Sequence, residues 1–104
     1  MKNKFTFTDE FGVKNYLRFV ERHYLNNNLA IEAVDYDTGK PYCMVSVNLD
    51  ELHDPSLFCY DMNNNGLALY YALIKAGLME NTGAIKVSGY CLYPVCRWIG
   101  NYYR

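Results

Sequence analysis

The chain has 104 residues, enough for one domain over positions 1–104 and too few for two ordinary ones. With 51% apolar and 20% charged residues it can build a core and does not have a disordered composition. The formal charge of -1 argues against a basic nucleic-acid-binding domain, whose affinity rests on neutralising phosphates, and equally against an acidic mimic of DNA.

In chain order, KFTFT at 4–8 alternates apolar and polar residues and predicts a short strand, followed by a turn at EFG, 10–12. Residues 13–25 read two ways. Val13, Leu17, Val20 and Tyr24 sit at helical spacing, while the aromatic and β-branched content suits a strand. The context favours a strand over 16–25, because NNN at 26–28 is a turn and LAIEAVDY, 29–36, is a strand. DTG at 37–39 turns the chain again, and PYCMVSVNL, 41–49, resumes the strand pattern with Cys43, Val45, Val47 and Leu49 on one face. Three runs separated by two turns predict an antiparallel meander.

LDELHDPSL at 49–57 reads as a surface connection and FCYD at 58–61 as a short strand. Gly66 to Ala76 is the clear helix, closed by Gly77 in a left-handed C-terminal cap with Leu78 folding over the last turn. It is apolar around most of its circumference, which predicts extensive burial across the sheet. Asn81, Thr82 and Gly83 turn the chain into a last strand over 84–93. Gly89 suggests a bulge in that strand, and Pro94 ends it or places it at an edge. The expected fold is α+β, a small antiparallel meander sheet of about five strands with one apolar helix packed across it.

DMNNNGLALYYA, 61–72, has oxygen-bearing side chains at Asp61, Asn63 and Asn65 and a glycine at Gly66, in the manner of a calcium loop. The twelfth position, where such a loop needs a bidentate glutamate, is Ala72, and the ninth is Leu69. The stretch is therefore expected to cap the helix through Asn64 or Asn65 and to hold no metal. Cys43, Cys59, Cys91 and Cys96 lack short paired spacing and read as buried, reduced thiols without zinc. His53-Asp54 has the look of a metal phosphohydrolase pair, but only His23 remains to complete such a site, and a spatially assembled Cys/His pair has no local signature to support it. No cofactor is implied. MKNKFTFTDEF has no apolar stretch of signal-peptide length, and the Leu67 to Ile74 run is far below the roughly 20 residues of a membrane span, so a cytoplasmic chain without membrane contact is expected.

The tail YCLYPVCRWIGNYYR sets Tyr90, Tyr93, Trp98, Tyr102 and Tyr103 among Arg97 and Arg104. These residue types suit a core, a protein interface or stacking on single-stranded bases. Three stretches taken together, NNNLAIEAVDYDTGKPYCMVSVNL, DMNNNGLALYYALIKAGLMENTG and VSGYCLYP, resemble the small bacterial family catalogued as domain of unknown function 4313. The features that carry the resemblance are Val47-Asn48-Leu49, Asp61 with Asn63 to Asn65, and Ser88-Gly89-Tyr90 with Tyr93-Pro94. The resemblance implies an accessory protein of a mobile element or phage and supplies no catalytic residues. The sequence thus points first to a small adaptor that binds another protein through Asn63, Asn64, Asn65, Tyr93, Arg97 and Trp98. Nucleic acid is the disfavoured alternative partner, and an enzyme comes third.

Overall fold

Alternation of apolar residues places Phe5 and Phe7, Leu17 and Phe19, and Ile31 and Ala33 on one face of three neighbouring strands. The computed structural model describes residues 4–100. These strands are β1 (Phe5–Thr8), β2 (Lys14–His23) and β3 (Leu29–Asp35), and β4 (Pro41–Met44) completes a four-stranded antiparallel meander in the order β1-β2-β3-β4. The ambiguous segment is strand, with Leu17 facing both Phe5 and Asp35. Both predicted turns are present. Asn27 and Gly39 take the positive φ values, 73° and 74°, that such tight reversals require.

The run predicted as one strand over 41–49 is divided between two sheets. The chain bends at Val45, and β5 (Ser46–Val47) joins a second antiparallel sheet ordered β5-β6-β8-β7, with β6 (Leu57–Tyr60), β7 (Met79–Ser88) and β8 (Cys91–Trp98). Ser46 manages the bend. Its buried hydroxyl accepts the Ile31 N–H at 2.9 Å and lies 3.0 Å from the Tyr24 hydroxyl, so the backbone group freed by the change of sheet stays bonded. Cys43 and Val45 consequently pack into the main core, whereas Val47 and Leu49 pack into a smaller cluster with Cys59, Tyr93 and Val95. The fold is α+β as expected, but with two four-stranded sheets in place of one sheet of about five.

The single last strand predicted over 84–93 is instead two strands, β7 and β8. Ser88 faces Cys91, which makes Gly89 and Tyr90 the two-residue turn of a hairpin. The irregularity lies instead between Asn81 and Ile85, where β7 carries extra residues. Pro94 sits inside β8 beside that irregularity. β6 stops pairing at Cys59↔Val95, so the missing proline N–H breaks no ladder bond there.

The helix α1 (Met62–Lys75) begins four residues earlier than expected. Asp61, not Asn64 or Asn65, is its N-cap, accepting from the Asn64 backbone at 3.3 Å and from the Asn64 side-chain amide at 2.8 Å. Gly66 (φ 72°, ψ -174°) breaks the helix after its first turn, and its carbonyl accepts the Tyr60 hydroxyl at 2.8 Å. At the far end Gly77 (φ 76°) donates to Ile74 and Leu78 donates to Leu73, a Schellman closure. Only Leu69, Tyr70 and Leu73 of α1 are buried, while Leu67 and Tyr71 face outward, so the helix is one-sided. The main core gathers these three with Phe5, Leu17, Ile31, Phe58, Tyr60 and Trp98.

Candidate functional site

The six residues read from the sequence as a contact surface fall in three different settings. Asn63, Asn64 and Asn65 lie at the start of α1, along a polar cleft of about 520 Å³ that is also lined by Phe7, Asp9, Glu10, Tyr42 and Cys43. Asn64 is engaged with Asp61, and Asn65 donates to the Met44 carbonyl at 2.7 Å, tying the helix start to β4. Asn63 is exposed.

The tail residues belong to the packing. Trp98 is only 8% exposed, and the rings of Phe19 and Phe58 meet it edge-on with centroids 5.3 and 6.1 Å away. Tyr93 is buried in the smaller cluster, on the opposite face of β8 from Trp98. Arg97 is half-exposed and occupied. It reaches Asp54 at 3.4 Å, Glu80 at 3.8 Å and the Ser56 hydroxyl. Bonds from the Ser56 hydroxyl and amide, helped by Arg97, hold the Asp54 carboxyl below its usual range. Tyr102, Tyr103 and Arg104 lie outside the described residues.

Burial pushes the Cys43 thiol up to about 11, with Asp61 and Glu32 adding to the effect. Burial likewise raises Cys59, and carries Cys96 to about 12 with the nearby Cys59 as a second cause. His23 Nε2 lies 3.2 Å from the Pro55 carbonyl and His53 Nδ1 lies 3.1 Å from Glu51, both at the surface. Thiols held protonated make poor nucleophiles and poor metal ligands. Among the described residues no three His, Cys, Asp or Glu side chains converge as a metal site, and no helix is long and apolar enough to cross a membrane.

The surface that the sequence reading missed is the open face of the β7–β8 hairpin. Ile85 faces Pro94 and Val87 faces Leu92 across the ladder, so all four share one face, the same face of β8 as Cys96 and Trp98. Beyond the cover of α1 this face is bare. Ile85, Val87 and Leu92 are 59%, 67% and 60% exposed, and Tyr90 at the tip is fully exposed. The opposite face of the same hairpin packs Tyr93 and Val95 into the smaller cluster, which makes the hairpin apolar on both sides. Alternation of Ile85 and Val87 with Lys86 and Ser88 is the sequence signal for this face. In comparisons with protein families, curated proteins and solved structures, nothing matches this chain.

Proposed function

We propose that this chain is a protein-binding accessory domain whose contact face is the open side of the β7–β8 hairpin. The observation that carries the reading is the bare set Ile85, Val87 and Leu92 beside a sheet face that is otherwise covered. Three contiguous large apolar side chains at more than half exposure cost hydration free energy unless something covers them, and such patches mark protein contacts. Leu67 and Tyr71, exposed on α1 against the same sheet, extend the apolar character toward the helix. The Asn-rich junction lies along the cleft with Phe7, Asp9, Glu10 and Tyr42 and is not part of this contact. Burial that keeps the Cys43 and Cys96 thiols protonated favours this binding role over the enzymatic alternative. The resemblance in the sequence extends the proposal to an accessory protein of a mobile element.

The test is a charged substitution on the bare face. Val87→Glu with Leu92→Lys should leave the far-ultraviolet spectrum and the unfolding midpoint nearly unchanged, since both side chains are exposed. Capture of a partner from a lysate of the native host should be lost with that pair and kept with Asn63→Ala. Retention of the same captured protein by the hairpin variant would remove this face from consideration. Light scattering of the purified chain shows whether that partner is a second copy.

A further inference from the structure

The outer face of the first sheet carries a concentration of positive charge that the net charge of the chain conceals. Leu17 and Phe19 point into the core, so alternation turns Lys14, Tyr16, Arg18, Val20 and Arg22 outward along β2. Lys4 joins them, its ammonium 5.4 Å from the Tyr16 ring centroid and 5.1 Å from that of Tyr36. The residues directly opposite these β2 cations are Thr8, Val34 and Ala30, none of them acidic. An ordinary solvated sheet face places opposite charges across the ladder. Among the described residues, Glu32 reaches the β2 cations at Arg22, 3.4 Å away. Among the described residues, Lys4, Lys14, Arg18 and Arg22 share this face with Glu32 in a chain of net charge -1.

The cations recur every fourth residue from Lys14 to Arg22, a track of about 27 Å at the rise of a β-strand. Tyr16 lies on this track with its ring partly exposed, and the Lys4 cation stays beside it. A row of cations matches a backbone of regularly spaced phosphates, and an exposed ring beside the row offers a stacking surface for an unpaired base. Bases inside a duplex have no free ring face to offer. We propose that the outer face of β1–β2–β3 binds single-stranded nucleic acid, with Lys14, Arg18, Arg22 and Lys4 on phosphates and Tyr16 against a base. This goes beyond the adaptor reading and uses a different surface from the hairpin.

Fluorescence anisotropy of the purified chain with labelled single strands of roughly 12 nucleotides, in RNA and DNA arms, tests it. A slope of about 0.7 per neutralised phosphate predicts an affinity loss of roughly 20- to 50-fold between 50 and 200 mM salt for three or four contacts. Lys14→Gln with Arg22→Gln, both at exposed positions, should reduce that loss to roughly three- to sevenfold by removing two contacts. Tyr16→Leu should weaken binding at least about fivefold while leaving the salt slope unchanged, which a purely electrostatic role would not do. Val87→Ser on the hairpin should change nothing, keeping this result separable from failure of the adaptor reading. A difference between the RNA and DNA arms identifies the preferred strand. The proposal is overturned by absence of binding to both strands at about 50 mM salt, by equal or tighter binding of the matching duplex, or by insensitivity to the Lys14/Arg22 pair. Equal competition by polyglutamate overturns it as well, since the face would then be one for an acidic protein.

Discussion

Trp98 is the side chain on which the two sheets and their aromatic residues converge. Phe19 reaches it from the first sheet and Phe58 from the second, so removing the indole empties a space that neither backbone can fill. Trp98→Ala should cost about 3–5 kcal/mol in denaturant unfolding, the range for truncating a buried aromatic. The buried cysteines make a second prediction at this scale. Cys43 and Cys96 are held protonated up to about 11 and about 12 in the folded chain, whereas an unfolded thiol ionises near about 8.5. Above that pH the folded state retains protons the unfolded state releases, so stability is complete below about 8.5 and falls as the pH climbs toward the folded values. Burial raises Tyr60 in the same direction. Chemical unfolding at pH 8 and pH 10.5 should show the decline, and Cys96→Ala should lessen it.

Helix α1 is where burial and exposure divide most cleanly within one element. Leu73 is fully buried and Tyr71, two residues earlier, faces solvent. Leu73→Ala should cost about 2–5 kcal/mol, while Tyr71→Ala should stay within about 1 kcal/mol. Gly66→Ala should cost about 1–3 kcal/mol with no steric clash, because open space surrounds the site but its φ and ψ suit glycine alone. Thermal and denaturant midpoints of the three variants check the ordering. The meander was legible because Asn27 and Gly39 punctuate strands with clear alternation. The second sheet was less so. Gly89 can mark either a bulge or a two-residue turn, and only pairing with β8 distinguishes them. The tail stayed open for a related reason: a Trp beside an Arg describes a contact surface and a core strand equally well, and sequence does not say which face is covered. Lys14, Arg18 and Arg22 share one side whether 13–25 is helix or strand, and only the strand lays them along the outer face of a sheet.

At the scale of the whole molecule, the Lys14, Arg18 and Arg22 row and the bare Ile85, Val87 and Leu92 set lie on different sheets. The two sheets are nevertheless one body, because the main core draws side chains from both. Unfolding followed by far-ultraviolet dichroism and by Trp98 fluorescence should therefore give coincident transitions, and a separation between them would mean that the sheets open independently. Val45 carries this unity further. Its N–H donates to Ile31 in the first sheet and its carbonyl accepts from Asp61 at the end of β6, so one residue is bonded to both halves. Neither sheet can peel away without breaking one of these bonds. In native-state hydrogen–deuterium exchange the amides of Ile31, Val45 and Asp61 should accordingly be among the slowest, and should share one opening free energy equal to that of global unfolding.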